Sequence, residues 1–181
     1  MTIFGVVLFI VIACLIFYFG LSPSKDNEGS APSGGGSSSG ATYSNKGGHN
    51  NPGYLIHTNT QWKGKENSDY CKFENFATLT WGVRAWYVNL FGKVKNGTIT
   101  NTNQMIDVLT PAGKENSEVA RNNYKASVAR ATNWLDLGIA VFNFEANPDW
   151  LNSSSRTEAL ERGFADAVQY RYGGLVPPYF K

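Results

Sequence analysis

The uneven placement of apolar residues constrains this chain more than any other feature of its sequence. Residues 3–21, "IFGVVLFIVIACLIFYFGL", include no charge and no proline, and this length suits a helix crossing a hydrocarbon core of about 30 Å. A tract rich in glycine and serine follows, which supplies no apolar surface to offset the entropy of ordering it. The sequence therefore predicts a transmembrane helix over 1–21, a flexible linker over 22–48 and a globular domain over 49–181.

The apolar run could also be a cleaved signal peptide or a lipoprotein signal. A cleaved signal peptide normally has a basic segment before its apolar core and a small-residue cleavage site after it, and this chain has neither. The stretch "VIAC" is similar to a bacterial lipoprotein box, in which Cys14 would be acylated, but the apolar run continues past that cysteine. We therefore favour an uncleaved, single-pass anchor. Lys25 is the only basic residue near its ends, so no orientation is predicted.

Cysteine, histidine and charge limit the functions that the domain can have. Cys71 is the only cysteine after the predicted span, so no disulfide is expected within the domain. His49 and His57 have no companions at metal-ligand spacing, and neither a metal nor another cofactor is predicted. The net charge is +2 without a dense cluster of lysine or arginine, so specific binding of nucleic acid is not expected.

The hydrophobic pattern of the domain predicts a mainly α fold with a short β-hairpin. The predicted helices run from Thr80 to Val94, from Thr102 to Leu109, from Asn116 or Ser117 to Gly138, and from Ser155, in a capping box with Glu158, to Gly173. Before them, "HNNPG" favours a tight turn, because asparagine and glycine tolerate left-handed backbone and proline fixes its own φ. Apolar and polar residues roughly alternate in "YLIHT" and "CKFENF", which predicts the hairpin.

Seven motifs, in order, resemble a family of phage and prophage virion structural proteins. They are "NNPG" (50–53), "WKG" (62–64), an acidic residue with two spaced phenylalanines (Asp69, Phe73, Phe76), "WGVRAW" (81–86), "GTIT" (97–100), "LTPAGKEN" (109–116) and "YKASVA" (124–129). The family occurs in tailless phages with an internal membrane. The resemblance implies a lysozyme-like domain on a single-pass protein of the virion's internal membrane, with membrane lipids, peptidoglycan and capsid proteins as partners.

Three positions depart from the family's pattern. Tyr54 stands where the family has asparagine after Asn-Pro-Gly, and Leu109 replaces the tryptophan of its Trp-Ala-Pro motif. Many relatives end a helix with a His-Glu-Asn-Gly-like sequence, similar to the Glu-Ser-Gly that carries the acid of lytic transglycosylases. Alignment on Gly173 puts Arg171 at that glutamate, and a cation cannot donate a proton to a glycosidic oxygen.

Cleavage of a glycosidic bond requires a carboxyl group with a raised pKa, usually in an apolar cleft. Glu115 falls on the family's Glu-Asn and is the first candidate, although a position near a helix start would lower its pKa and suit capping. Glu74 lies between Phe73 and Phe76, either beside a cleft or facing outward from a strand. Glu145, in "FEANP", is a weaker candidate because its match to the Glu-x-x-Asn-Pro of transglycosylases is loose.

The candidate substrate-binding residues carry amide, aromatic or guanidinium groups: Asn50, Asn51, Trp62, Arg84 and Asn116. The amides could bind N-acetyl groups, and Trp62, in a loop with Lys63 and Lys65, could stack on a sugar ring. For Arg84 the alternative is a structural hydrogen bond to loop carbonyls. Trp86 and Tyr124 lie on apolar helical stripes and are predicted to pack in the core.

Three functions therefore stay open at the level of sequence. The first is a membrane-anchored virion protein whose domain binds or degrades peptidoglycan while the phage crosses the host envelope. The second is a catalytically inactive virion protein that links the internal membrane to the capsid. The third is a peptidoglycan hydrolase of a prophage or of the bacterial envelope. An enzyme would be a glycosidase of the lysozyme or lytic transglycosylase type.

Overall fold

The structure is a computed structural model that describes residues 44–45, 48–67, 72–113, 117–145 and 154–180. These residues form five helices and four two-residue strands, which confirms the prediction of a mainly α domain with a small β element. None of the helices within the described ranges has the length and apolar character needed to cross a bilayer. The span predicted over 1–21 lies outside these ranges.

The strands form two antiparallel pairs. They are β1 (Ser44–Asn45), β2 (Gly48–His49), β3 (Lys65–Glu66) and β4 (Asn75–Phe76), and β1 pairs with β2 while β3 pairs with β4. The first pair lies at the end of the segment predicted as linker. A single antiparallel bridge joins Ile56 to Phe73, and the Glu74 amide donates to the Leu55 carbonyl at 2.9 Å. The two stretches predicted to be extended therefore lie side by side.

The helices are α1 (Leu79–Lys95), α2 (Thr102–Leu109), α3 (Glu118–Val128), α4 (Trp134–Glu145) and α5 (Ser154–Tyr172). The first is the centre of the core, and its Val83, Tyr87 and Phe91 have no exposed surface. Helix α5 packs along α1 in a parallel orientation. The two helices are so close that a Cβ on Gly163 would lie 2.7 Å from a methyl carbon of Val83. This close approach joins the two longest helices of the described residues.

Two helix starts differ from the sequence prediction. Ser117 caps α3 as predicted, since its hydroxyl accepts from the Ala120 amide at 3.1 Å. The expectation of one helix continuing to Gly138 is wrong, because Asn133 accepts from the Asp136 amide at 2.9 Å and begins a second helix there. The prediction that Ser155 is the N-cap of the last helix is also wrong, because Ser155 already lies within α5.

The chain beyond α5 packs against the first residue of α4. The indole nitrogen of Trp134 donates to the Pro177 carbonyl at 2.8 Å. The rings of Tyr179 and Phe180 lie 5.0 Å and 4.8 Å from the Trp134 ring, in edge-on contacts. The last described residues are therefore packed against the core through an aromatic cluster.

Candidate functional site

The opening "HNNPG" loop is held by its asparagine side chains. The buried Asn51 amide accepts from the Leu55 amide at 2.9 Å and donates to the carbonyls of Leu55 and Glu74 at 2.8 Å and 3.1 Å. Asn50 donates to the Phe76 carbonyl at 2.9 Å. Asparagine is abundant here because its amide can satisfy backbone groups that no helix or sheet satisfies. Both side chains are therefore bound to the protein's own backbone.

Glycines allow this loop to lie directly on α1. A Cβ on Gly82 would collide with the Asn50 carbonyl oxygen, and one on Gly53 would collide with the Trp86 ring. Gly64, with φ of 74°, approaches the Trp81 ring in the same way. The motifs "NNPG", "WKG" and "WGVRAW" therefore meet in one place in the fold.

A small cavity lies between this loop and residues of four helices, α1 to α4. It encloses about 30 Å³, which is room for one or two water molecules but not for a sugar ring. Its lining comprises Gly53, Tyr54, Leu55, Trp86, Asn89, Leu109, Thr110, Tyr124 and Glu145. The wall is mostly apolar, with one carboxyl group and a few hydrogen-bonding groups.

Glu145 supplies the carboxyl group from the last residue of α4. Burial of this group raises the pKa of Glu145 to about 7, and a hydrogen bond with the Tyr124 hydroxyl opposes part of that rise. The residue keeps some solvent contact at the helix end, but its carboxyl group lines the cavity and is desolvated. Near neutral pH this group is protonated in about half of the molecules and can both donate and accept a proton.

Tyr124 is fixed in place beside that carboxyl group. Its ring stacks on Phe144 with centroids 4.0 Å apart and planes 15° apart, and the residue is 5% exposed. Burial, followed by the neighbouring Glu145 charge, holds the pKa of Tyr124 well above its usual value of 10. Its hydroxyl therefore stays protonated and is a permanent donor to the carboxyl group. Tyr124 packs in the core, as predicted, and also lines the cavity.

The second catalytic candidate, Glu74, is fully buried and does not line this cavity. Its Oε1 accepts from the Thr58 amide at 2.8 Å, and Lys65 Nζ makes an ionic contact with Oε2 at 2.9 Å. Nδ1 of His57 lies 3.4 Å from the same oxygen. Of the two placements considered from sequence, the outward-facing one is excluded. This carboxylate joins the hairpin to the opening loop, with a lysine charge beside it.

The remaining predicted residues are dispersed. Glu115 and Asn116 lie outside the described residues. Arg84 is 5% exposed, and its guanidinium carbon lies 5.0 Å from the centre of the Tyr170 ring. Trp62 is half-buried against the core, with its indole nitrogen enclosed. The structure therefore does not gather the described binding candidates around the cavity.

Arg171, at the position of the relatives' glutamate, lies on another side of α1. Its Nε donates to the Val88 carbonyl at 3.1 Å, and its own carbonyl accepts from Lys95 at 3.1 Å. At 3.6 residues per turn, Val88 lies about 160° around the helix from Trp86 and about 100° from Asn89, both of which line the cavity. Arg171 therefore occupies a helix contact and not the site around Glu145.

Sequence reasoning missed Tyr54, Asn89 and Thr110 as cavity residues. Asn89 had a readable signal, since it is a polar residue three positions after Trp86 on a helix that is otherwise apolar on that side. Tyr54 and Thr110 carried none, because only the packing of separate segments brings them together. Neither a protein-family model nor a curated protein sequence matches this chain.

Proposed function

We propose that residues 49–180 form a lysozyme-like domain that binds peptidoglycan and cleaves its glycan strands, with Glu145 as the general acid. The domain belongs, in this proposal, to a membrane-anchored virion protein of a tailless phage. One observation carries the proposal: four of the motifs behind the family resemblance contribute residues to the cavity around Glu145. These motifs are "NNPG", "WGVRAW", "LTPAGKEN" and "YKASVA".

The convergence matters because the motifs are far apart in the chain. Gly53 and Tyr124 are separated by 71 positions, yet both line the same small cavity. Motifs that served only helix formation would have no reason to meet at a titratable group. A perturbed carboxyl group in a recess is a recognised sign of a functional site.

The backbone at Tyr54 supports the family resemblance independently. This residue has φ of 50°, in the left-handed region that few residues other than glycine adopt without strain. Asparagine is among the residues that tolerate this region best, and the family has asparagine at this position. The tyrosine therefore occupies a turn whose geometry suits the residue found in the relatives.

In this mechanism the glycan lies outside the cavity, and Glu145 passes its proton through a water molecule in the cavity to the glycosidic oxygen as the bond to the sugar breaks. Its pKa of about 7 suits a group that must hold a proton at neutral pH and release it in the transition state. The permanently protonated Tyr124 hydroxyl keeps one carboxyl oxygen occupied, which leaves the other to carry the transferred proton. Among the described residues no second carboxylate lines the cavity, so water or the substrate itself supplies the nucleophile.

Zymography of residues 42–181 on whole cell walls tests the proposal. Glu145→Gln should lower cleavage by about 100-fold or more, which is the usual contribution of a general acid. Glu158→Gln is the matched control, because Glu158 is an exposed carboxylate paired with Arg162 at 2.9 Å. Equal cleavage by wild type and Glu145→Gln would refute the role of Glu145. Loss of cleavage only in Glu115→Gln would return that role to the first sequence candidate.

The second candidate function is that of a virion protein without catalysis, linking membrane and capsid. It is favoured by the size of the cavity, which does not admit a sugar ring, and by its single carboxyl group. In that case the wild-type domain would bind cell walls or capsid subunits without releasing glycan fragments. Arg171→Glu should then leave cleavage absent, because Arg171 lies at a helix contact away from the cavity.

A further inference from the structure

The C-terminal end of α5 and the residues just after it carry large apolar side chains that are exposed to solvent. Four large hydrophobic side chains are exposed within the described ranges, and three of them lie here: Tyr170 at 37%, Leu175 at 78% and Val176 at 60%. The fourth, Val119, lies on α3 and is 70% exposed. Exposed apolar residues are ordinary when scattered, but three within seven positions form a local feature.

The segment 173–177, which we call the C-terminal loop, is held at both ends. Gly173 and Gly174 have φ of 63° and 93°, and their amides donate to the carbonyls of Gln169 and Val168. At the other end Pro177 is buried, and its carbonyl accepts from the Trp134 indole at 2.8 Å. Because both ends are fixed, Leu175 and Val176 cannot fold back onto the core. The loop presents them to solvent as a pair.

The loop lies beside two basic residues and two tyrosines, and Asp136, in the first turn of α4, is the acidic residue facing the chain after it. Lys95 Nζ donates to the Arg171 carbonyl at 3.1 Å and lies 5.7 Å from the centre of the Tyr172 ring. Residues 79–95 and 167–180 contain no aspartate or glutamate, and Asp166 is the first acidic residue reached going back along α5. The loop is therefore bordered by Lys95 and Arg171 and by two tyrosines.

We propose that the C-terminal loop docks on an anionic lipid bilayer, with Leu175 and Val176 inserted at the interface and the exposed Lys95 against phosphate groups. Apolar side chains on a constrained segment, tyrosines at the headgroup level and lysine or arginine beside them are the features that bind such a surface. Charge complementarity thus selects the partner. A protein partner fits less well, because a stable protein interface buries about 800 Å² on each side and this feature has two inserted side chains.

The contact does not require the catalytic proposal, but it rests on the predicted span, which tethers the domain near a membrane. A loop with two apolar residues binds lipid weakly by itself, since even one acyl chain gives marginal attachment. It gains effect when the domain is already tethered near a membrane, because tethering makes the second contact intramolecular. The loop would then set which face of the domain lies on the bilayer.

Site-specific fluorescence on the full chain tests this proposal. The chain is reconstituted into vesicles of phosphatidylcholine alone or mixed with phosphatidylglycerol, with both native cysteines replaced by serine. An NBD probe is attached through Val176→Cys, and the matched control carries it through Val119→Cys, which is also well exposed, at 70% against 60%, but follows Glu118. Both sites are on the surface, so neither label disturbs the core.

The expected result is a blue shift and protection from an aqueous quencher at position 176 in the anionic vesicles, with no change at position 119. Lys95→Gln should lower the ratio of membrane-bound to free loop about fivefold. One basic residue near an anionic surface contributes about 1 kcal/mol to binding, which corresponds to that factor. High salt should act in the same direction. Equal quenching at positions 176 and 119 in the anionic vesicles would overturn the proposal.

Discussion

Replacing the cavity acid with glutamine should make the domain more stable at neutral and alkaline pH. The folded protein holds the Glu145 proton with a pKa of about 7, whereas the ordinary value is 4.5. Between these values the unfolded chain releases the proton more readily, so the stability of the native state falls as pH rises and the loss is complete above about pH 7. At about 1.4 kcal/mol per factor of ten, the difference corresponds to about 3 kcal/mol.

Glu145→Gln removes this loss because an amide does not ionise, and its carbonyl oxygen can still accept from the Tyr124 hydroxyl. At pH 8 the variant should therefore unfold with a free energy up to about 3 kcal/mol greater than wild type, or a melting temperature about 10 °C higher. At pH 4 the two proteins should be equally stable. Urea denaturation of residues 42–181 from pH 4 to pH 8 measures the difference.

The control for this experiment is Glu158→Gln, since Glu158 is an exposed carboxylate paired with Arg162 on the helix surface. A surface pair of this kind contributes about 0.5 kcal/mol, so the control should follow the wild-type pH profile. Parallel profiles for wild type and Glu145→Gln would show that the carboxyl group is not desolvated, and the assignment of the acid would fail with it. Greater stability together with lost cleavage would show a group retained for function at a cost in stability.

Three further outcomes are expected. Tyr124→Phe removes the hydrogen bond that lowers the pKa of Glu145, so the loss of stability with rising pH should be complete only above pH 7. An unchanged dependence of the unfolding free energy on pH, measured by urea denaturation, would contradict this. Glu74→Gln leaves the partly buried Lys65 without its carboxylate and should lower the free energy of unfolding by about 3 kcal/mol, which calorimetry would detect as a fall in melting temperature. Gly82→Ala should cost about 1–3 kcal/mol in the same assay because its methyl group collides with the Asn50 carbonyl, whereas Gly97→Ala, with open space around it, costs only backbone strain.

The sequence alone determined most of the helical architecture, because the signals involved are local. The apolar repeat predicted α1, and Pro111 ends α2 two positions after its last residue. Ser117 caps α3 through its own hydroxyl. The missed start of α4 was also a local signal, since Asn133 and Asp136 form a cap that the apolar repeat concealed. Such features depend on residues within one turn of each other, which a sequence displays directly.

The candidate site was decided by tertiary structure. Glu74 and Glu145 are both glutamates beside aromatic residues, and no local pattern distinguishes them. Packing places Lys65 against the Glu74 carboxylate. It leaves the Glu145 carboxyl group in a mostly apolar cavity beside the Tyr124 hydroxyl. Desolvation depends on which distant segments enclose a group, and here they are the opening loop, α1, the end of α2 and α3. The sequence could therefore supply the acid but not its pKa, since that value arises from neighbours 21 to 92 positions away.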